Sequence, residues 1–190
     1  VVDFNGTDEE ADSPDAAYWT RALVAFSIGA WIRPDTINTD DYIFSKWDET
    51  TGVLVREWAI RLNTAGLFSG DVYDETANAQ IGRQDSSALV AGTWNYVVMT
   101  YSGGGTAAAI KLYVAGVQTD DNDNNTGVFT TMQDTASLVR LGFYQGAAAG
   151  AGYFDGKMAG GPLGPFFTQI ELTADQVLRL YQVGRRALGL

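Results

Sequence analysis

The 190-residue sequence predicts an all-β fold, a sandwich or a barrel, and two observations carry this prediction. Short segments in which apolar and polar residues alternate recur along the chain, as expected of strands that bury one face. Gly, Asn and Asp separate these segments at intervals of roughly 8–15 residues, which is typical of all-β domains. Because 46% of the residues are hydrophobic, the chain can bury one large core, and we expect a single domain over residues 1–190.

The alternation is clearest in the segment FSIGAWIR, which places Phe26, Ile28 and Ile32 on one face. The segment WNYVVMTYS has apolar residues on both faces and therefore indicates a central strand. Gly and Pro interrupt the last segment in the series. The predicted strands are, in order, Phe26–Arg33, Tyr42–Trp47, Glu57–Asn63, Leu67–Tyr73, Trp94–Ser102, Ile110–Gly116, Leu138–Tyr144 and a strand within Gly156–Phe167.

A turn at Ala115-Gly116 follows the strand segment IKLYV. The favoured two-residue hairpin turns need positive φ angles, which an alanine adopts only at an energetic cost. We therefore expect a type I turn with a bulged glycine at this position.

One helix is predicted near the end of the chain. Thr173 and Gln176 have the spacing of a capping box, in which Thr173 is the N-cap residue. Gly184 is expected to end the helix, which we expect to cover an edge or an open end of the sandwich. The apolar stripe of this helix is formed by Val177, Leu180 and Tyr181.

The composition narrows the chemistry that the protein can perform. The chain has 12 basic and 23 acidic residues and a net charge of −11, which disfavours nucleic acid or an anionic membrane as a partner. It has no Cys and no His, which excludes thiol chemistry, Cys/His zinc sites and imidazole-based triads. No apolar run is long enough for membrane insertion, and no signal peptide is visible.

A series of motifs in the expected order resembles a laminin-G-like domain of the concanavalin A-like lectin/glucanase superfamily, from about Val1 to Gly184. The resemblance implies a jelly roll of two antiparallel sheets with a short C-terminal helix. It is less informative on function, since this fold hosts lectins, adhesion modules, glucanases and structural parts. The motifs are VVDFNGTDE, FSIGAWIRPD, IFSKWD, REWAIRL, GTWNYVVMTYSGG, IKLYVAGVQ, VRLGFY, YFDGKM and LTADQVLRLYQVGR.

The acidic stretch DDNDNNTG, Asp120–Gly127, imitates the start of an EF-hand calcium loop. It departs from that pattern at Thr126, where Gly is needed, and at Met132, where Glu is needed. We interpret it as a solvated turn rather than a calcium site. No cofactor is expected to be required, although the resemblance implies weak binding of Ca2+ at the loop rim. The candidate ligands are Asp48, Asp71, Asp74 and Asp123.

The sequence lacks the carboxylate pattern of a retaining glucanase, in which alternate acids of one strand face the cleft. The pair Glu10 and Asp12 has no third acid, and the spacing of Asp71, Asp74 and Glu75 does not place two acids on one strand face. We therefore predict a protein that is not an enzyme. Glycoside hydrolysis remains the least favoured alternative.

A binding module needs exposed rings and polar loops, and several residues at strand ends supply them. The alternative is that these rings only pack the edge of the sandwich. Arg56 and Glu57 are interpreted as solvated charges, and Gly146–Gly152 as a flexible loop. The candidate ligand-binding residues are Trp47, Asp48, Tyr73, Asp74 and Tyr144.

Two settings are compatible with such a module, and both lie at an exterior surface. The chain resembles modules that decorate virions or appendages, which implies an extracellular or virion-surface location and capsid or tail proteins as partners. The tail Arg185–Leu190 either docks on a partner subunit, which includes a homo-oligomer, or packs across the domain's own sheet. The alternative setting is a calcium-dependent carbohydrate-binding module of a secreted protein.

Overall fold

The computed structural model describes residues 1–37, 40–50, 54–146 and 152–190, which form two antiparallel sheets and one α-helix. Both the predicted β-sandwich and the predicted C-terminal helix are confirmed. The strands are β1 (Val2–Asn5), β2 (Ala11–Ser13), β3 (Phe26–Pro34), β4 (Asp41–Asp48), β5 (Val55–Leu62), β6 (Leu67–Asp74), β7 (Ala79–Ala88), β8 (Asn95–Tyr101), β9 (Ile110–Val114), β10 (Val117–Gln118), β11 (Asn122–Asp123), β12 (Val139–Leu141), β13 (Asp155–Met158) and β14 (Phe166–Thr168), and the helix is α1 (Ala174–Leu188).

In the described part of the chain, each sheet contains seven strands. The first sheet has the order β1-β13-β3-β8-β9-β10, with β14 also paired to β3. The second has the order β11-β7-β6-β5-β4-β12-β2. Alternate residues of the facing strands meet between the sheets, where Phe26, Ile28, Trp58, Ile60 and Met99 are completely buried. Burying each such side chain contributes about 1.5–3 kcal/mol, which makes this layer the main source of stability.

The strand β7 was missed by the sequence analysis. Its sequence, AQIGRQDSSA, is polar, and Ile81 is its one large apolar side chain. The strand nevertheless pairs with β6 along most of its length and with β11 on its other side. Backbone pairing and the packing of Ile81 therefore decide this strand rather than hydrophobic alternation.

The helix α1 confirms the capping box but not the predicted end. Thr173 Oγ1 accepts a bond from the Gln176 amide at 3.3 Å, and Gln176 Oε1 accepts one from the Thr173 amide at 2.8 Å. The prediction that Gly184 ends the helix was wrong, since the helix continues to Leu188. Gly189, with a φ of 72°, provides the left-handed cap.

Helix α1 packs on the outer face of the first sheet rather than on an edge or an open end. Val177 is completely buried there with Trp31, Tyr96 and Tyr113, and the rings of Trp31 and Tyr181 stack at 5.6 Å. Residues Arg185–Leu188 of the tail belong to this helix, and Leu188 packs against the same cluster. No helix among the described residues is long and apolar enough to cross a membrane.

The turn between β9 and β10 differs from the expected type I turn. Ala115 has a φ of 51° and Gly116 a φ of 79°, so both central residues lie in the left-handed region. This is the pattern of a type I′ hairpin turn, which matches the twist of the flanking strands. The twist of the hairpin therefore outweighs the preference of Ala115 for negative φ.

Candidate functional site

Four aromatic side chains form a cluster on the outer face of the second sheet. This aromatic cluster consists of Tyr42, Trp47, Tyr73 and Tyr144, packed around Ala59. Tyr42 and Trp47 are five residues apart on β4, a spacing that in a regular strand would place them on opposite faces. An irregularity between Tyr42 and Phe44, where two steps along β4 match one step along β5, changes this alternation, so that both rings face outward.

The rings of the aromatic cluster are held in fixed positions. Tyr42 and Tyr144 stack with centroids 4.0 Å apart, and Trp47 and Tyr73 meet edge to face at 5.2 Å. The Trp47 indole donates a bond to Glu49 Oε1 at 2.9 Å, and the Tyr73 hydroxyl donates to Asn78 at 2.5 Å. Trp47 and Tyr73 are each only 5% exposed, whereas Tyr144 is half-buried.

Arg56 lies over the aromatic cluster. Its guanidinium carbon is 3.8 Å from the centroid of the Tyr73 ring, within the range of a cation–π contact. Glu75 accepts two hydrogen bonds from Arg56, each of 2.8 Å, and Asn78 accepts a third at 3.2 Å. The bond to Glu75 raises the pKa of Arg56, so this guanidinium is permanently charged.

Arg61 occupies the neighbouring position on the same face. It donates to Asp71 at 3.3 Å and to Asp40 at 2.9 Å, and it lies 5.8 Å from the Tyr42 ring centroid. Asp71 is 2% exposed, and burial raises the pKa of its carboxyl group, although Arg61 lowers it. A side chain at Gly82 would have its Cβ 2.0 Å from Asp71 Oδ1, so the glycine makes room for this carboxylate.

The structure brings together most of the predicted ligand-binding residues. Trp47, Tyr73 and Tyr144 belong to the aromatic cluster, as described above. Asp48 lies beside it, where its carboxylate accepts a bond from the Thr50 amide at 2.9 Å and one from Arg140 at 3.5 Å.

Asp74 follows Tyr73 on β6 and therefore points to the opposite face of the sheet. Its carboxylate accepts bonds from the backbone amides of Ala77, Thr130 and Thr131 at 2.9–3.1 Å. Burial raises the pKa of Asp74, whereas these hydrogen bonds to its ionised form lower it. The bonds have the larger combined effect, so the pKa is below its usual value. Asp74 thus organises two loops and does not face the aromatic cluster.

The stretch DDNDNNTG binds other parts of the protein through its side chains. Asp120 and Asp123 both pair with Arg83, and the Asn124 amide donates to Asp71 at 3.0 Å. Asn125 accepts a bond from the Gly82 amide at 3.2 Å. These bonds hold the stretch against the edge of β7.

The four predicted calcium ligands each bind protein partners. Asp48 contacts Arg140, Asp71 contacts Arg61, Asp123 contacts Arg83, and Asp74 binds backbone amides. In the part of the chain that the structure describes, no three His, Cys, Asp or Glu residues are arranged to hold a metal ion. Calcium binding stays a prediction.

Three residues of this face were not identified as functional candidates from the sequence. The sequence predicts Tyr42 only as the first residue of a strand, and it indicates no functional role for Arg61. Arg56 was interpreted as a solvated charge, but it is 9% exposed and lies on the aromatic cluster. The signal available in the sequence was the arginine at each end of REWAIR, a strand that also carries a tryptophan. Residues 147–151 of the predicted flexible loop lie outside the described residues.

The prediction that Glu57 is a solvated charge was wrong, because this residue is completely buried. It pairs with Lys46, which is also completely buried and lies 3.1 Å from Asp15 Oδ1. The backbone amide and the hydroxyl of Thr135 each donate to Glu57 at 2.8 Å. Burial raises the pKa of Glu57, and Lys46 lowers it. A completely buried carboxyl cannot contact a substrate, so this group belongs to the core.

A second concave region lies between α1 and the first sheet. It is an apolar groove of about 300 Å³ whose walls include Trp31, Leu163, Phe166, Leu180 and Val183. It offers few polar groups, which are needed to orient a sugar. The aromatic cluster with its arginines and carboxylates is therefore the better candidate for a ligand site.

The chain matches a family model, Laminin_G_3 of the concanavalin A-like lectin/glucanases superfamily, over residues 5–160. No curated protein matches the sequence. Solved structures share the fold at low identity. Domain 4 of the arabinanase AbnA from Geobacillus stearothermophilus, in complex with arabinotriose, is 18% identical, with a TM-score of 0.59 over 94% of this chain and 74% of that one.

Two further structures extend this comparison. The CBM40 of the Ruminococcus gnavus IT-sialidase is 13% identical, with a TM-score of 0.62 over 92% of this chain and 97% of that one. The same CBM40 has been solved with α2,3-sialyllactose bound. A putative carbohydrate binding protein from Bacteroides ovatus is 16% identical, with a TM-score of 0.60 over 94% of this chain and 47% of that one.

Proposed function

Because the chain belongs to the Laminin_G_3 family of the concanavalin A-like lectin/glucanase superfamily, we propose that it is a non-catalytic glycan-binding module. This fold hosts lectins and enzymes alike, so the site has to carry the argument. The proposed site is the outer face of the second sheet around the aromatic cluster. The single observation that carries the proposal is that aromatic rings, guanidinium groups and carboxylates meet on that one face.

The chemistry of this face suits a sugar. Aromatic rings pack against the apolar C–H face of a pyranose or furanose, while charged and amide groups bond its hydroxyls. Tyr144 is half-buried, and the side chain of Asp40 is 50% exposed, so a ring and a hydrogen-bond acceptor are both accessible. Structures of similar fold have been solved with arabinotriose and with sialyllactose, which supports a glycan as the ligand class.

The proposal of a non-catalytic module rests on how the carboxylates are used. Both oxygens of Glu75 bind Arg56. Asp71 is almost completely buried and binds Arg61, Gln80 and Asn124. A retaining glycosidase needs two carboxyl groups free to act on one sugar, as nucleophile and as general acid. Neither carboxylate is free for that role.

Titration calorimetry with a panel of neutral and acidic oligosaccharides tests the proposal. We expect at least one glycan to bind, and Tyr144→Ala to weaken it roughly tenfold, which corresponds to about 1.4 kcal/mol. Tyr18→Ala is the matched control, because Tyr18 is exposed and lies outside the aromatic cluster. Melting temperatures of both variants show whether they fold. Equal affinities of wild type and Tyr144→Ala contradict the site, and the absence of binding to every glycan contradicts the function.

A role in decorating a particle or cell surface is a second candidate. It is favoured by exposed apolar residues on α1, where Leu180 is 43% and Val183 is 62% exposed beside the apolar groove. Such a surface suits a neighbouring subunit, such as a capsid or tail protein or a second copy of the chain. The proposed location is then extracellular or at the virion surface. The protein composition of the purified source particle, with size-exclusion chromatography of the chain, tests this candidate.

Calcium is an optional part of the proposal. If Ca2+ binds the folded protein at the loop rim, millimolar calcium raises the melting temperature relative to EDTA. An unchanged melting temperature contradicts the calcium-dependent alternative and leaves glycan binding in place.

A further inference from the structure

We infer that this site selects neutral glycans and discriminates against acidic ones, because carboxylates of the protein already occupy its guanidinium groups. The inference rests on the proposed function and specifies its ligand class. An acidic sugar is usually held by a free arginine, which binds the sugar carboxylate with two parallel hydrogen bonds. The decisive question is therefore whether Arg56, Arg61 and Arg140 have such a pair of donors to offer.

The two parallel N–H donors of Arg56 are already bound by a carboxylate of the protein. Its Nε and one terminal nitrogen each donate to Glu75 at 2.8 Å, which is the two-point geometry that a ligand carboxylate would need. The other terminal nitrogen lies 3.7 Å from Glu49, and one face of the guanidinium covers the Tyr73 ring. A sugar carboxylate would have to displace Glu75 and then remain close to it.

Arg61 is occupied in a similar way. Its Nε donates to Asp71 at 3.3 Å and a terminal nitrogen donates to Asp40 at 2.9 Å. Asp71 is held in place by the Gln80 and Asn124 amides at 3.2 and 3.0 Å, so it cannot easily turn away. The buried partner Asp71 therefore fixes this arginine.

Arg140 is the third arginine of this face, and its donors are also occupied. It donates to the Trp47 carbonyl at 3.2 Å, and its nitrogens lie 3.5 Å from Asp48 and 3.9 Å from Glu10. Because Arg140 is 7% exposed, little of its guanidinium is open to a ligand.

Three guanidinium groups on this face thus contact six carboxylates, two for each arginine. Among the described residues, Lys46 is the only lysine on the strands of the second sheet, and it is buried in the core and paired with Glu57. By sequence, the segments at 38–39, 51–53 and 147–151 contain no Lys or Arg. An incoming anion therefore meets an excess of like charge, which disfavours it.

A neutral sugar fits the same groups well. Its hydroxyls donate hydrogen bonds, and carboxylate oxygens that are already turned toward arginine keep lone pairs for such donors. Asp40, Glu10 and Glu49 are the most accessible of these acceptors, with side chains 50%, 36% and 29% exposed. Ring stacking on the aromatic cluster requires no charge on the ligand. Neutral polyol chemistry is therefore what this arrangement favours.

The test compares neutral probes with acidic counterparts, by titration calorimetry at low and at physiological salt. Lactose is paired with α2,3-sialyllactose, and gluco- and galacto-oligosaccharides are paired with oligomers of the corresponding uronic acids. Arabinotriose is included as a further neutral probe. We expect the neutral member of a pair that binds to have at least tenfold higher affinity than the acidic one.

Two variants then weaken the binding of protein carboxylates to these arginines. Glu75→Gln removes the negative charge and one of the two acceptor oxygens that hold Arg56. Asp40→Asn removes the negative charge beside one terminal nitrogen of Arg61, at an exposed position where folding is less at risk. Each is expected to shift the ratio of acidic to neutral affinity at least threefold toward the acidic probe. Binding of acidic glycans as tight as, or tighter than, the neutral ones by the wild type overturns this inference alone. The absence of binding to any probe overturns the proposed function together with it.

Discussion

The guanidinium of Arg56 lies 3.8 Å above the ring of Tyr73 and is fixed there by two bonds to Glu75. Arg56 lies on β5 and Tyr73 on the neighbouring strand β6 of the second sheet, so the contact orders the surface on which the proposed ligand would lie. A flat, rigid guanidinium can stack on a ring and bind a carboxylate at once, which a lysine ammonium cannot.

Replacing Arg56 by lysine therefore tests the arginine geometry rather than the charge. We expect Arg56→Lys to lower the free energy of unfolding by about 1–2 kcal/mol and to weaken glycan binding, because both the stack and the two-point bond are lost. Urea denaturation and calorimetry measure the two effects. Arg179→Lys, on the exposed surface of α1, is the control and should leave both unchanged. If Arg56→Lys also changes neither, the contact has no role.

The buried pair of Lys46 and Glu57 gives the largest expected effect on stability. Lys46→Met leaves the Glu57 carboxylate buried without its cation, which costs roughly 3–5 kcal/mol. In the double variant Lys46→Met, Glu57→Leu both charges are absent, so part of that loss should be recovered, although the buried Thr135 amide then lacks its acceptor. Free energies of unfolding from urea titrations at pH 7 measure both variants.

The surface pair of Lys111 and Glu171 is the matched control for that cycle. Its atoms are 2.8 Å apart, but the lysine side chain is 41% exposed, so Lys111→Met should cost less than about 1 kcal/mol. Equal losses for Lys46→Met and Lys111→Met would show that burial does not set the value of the Lys46 pair.

At position 184, local helix preference favours alanine, whereas the packing of α1 on the sheet requires glycine. As an exposed helix position it would gain up to about 1 kcal/mol on substitution by alanine. A Cβ at this position would lie 2.1 Å from Trp31 Nε1, however, so α1 would have to move off the sheet. We expect Gly184→Ala to be destabilising in urea denaturation, whereas Gln182→Ala on the exposed side should be neutral. Stabilisation by Gly184→Ala would contradict the packing of α1.

The strands with strong apolar alternation were predictable, and the polar or irregular ones were not. The pattern in Phe26–Arg33 follows from one buried face, so period-two counting located β3 to within a residue. The strand β7 has no such pattern, because its pairing with β6 and β11 supplies the energy. Likewise, Gly184 marks a helix end by local preference, whereas its contact with Trp31 is 153 positions away in sequence and leaves no local signal.

The candidate site was only partly predictable for the same reason. Trp47, Tyr73 and Tyr144 were found because large rings beside loops are a local feature. Tyr42 joins them only because of the irregular pairing of β4, which counting along the strand does not reveal. The partners of Arg56 and Arg61 lie on other strands and loops, so their charge pairing needed the folded structure.

The turn at Ala115 offers a stabilising substitution. Ala115 has a φ of 51° in a turn whose two central residues are both left-handed, a conformation that Asn adopts more easily than Ala. We expect Ala115→Asn to raise the free energy of unfolding by about 0.5–1 kcal/mol. Gly116→Ala should act in the opposite direction, because its Cβ would lie 3.0 Å from Leu178 at a φ of 79°. A stability loss in Ala115→Asn would contradict this geometry.

The carboxylate of Asp74 predicts a specific pH dependence of stability. Its pKa in the folded protein is lower than its ordinary value of 3.8, because hydrogen bonds to the ionised form outweigh the opposing effect of burial. A depressed folded pKa means that the ionised group stabilises the protein above its unfolded pKa of about 3.9, and that this contribution is lost as the pH falls through the folded pKa.

Asp74→Asn removes that contribution. At pH 7 the variant should lose roughly 1.5–3 kcal/mol, because an amide has one acceptor oxygen where the carboxylate has two. If that oxygen keeps the Thr130 and Thr131 bonds, the NH2 group faces the Ala77 amide, which is itself a donor. Below about pH 4 the difference from the wild type should shrink, because Asp74 is protonated first in the unfolded protein and, at its lower folded pKa, in the folded protein. Urea titrations at pH 7, 5 and 3 measure this, with Asp8→Asn on the exposed surface as the control. A difference that stays constant over this range would mean that Asp74 acts through its shape and not through its charge.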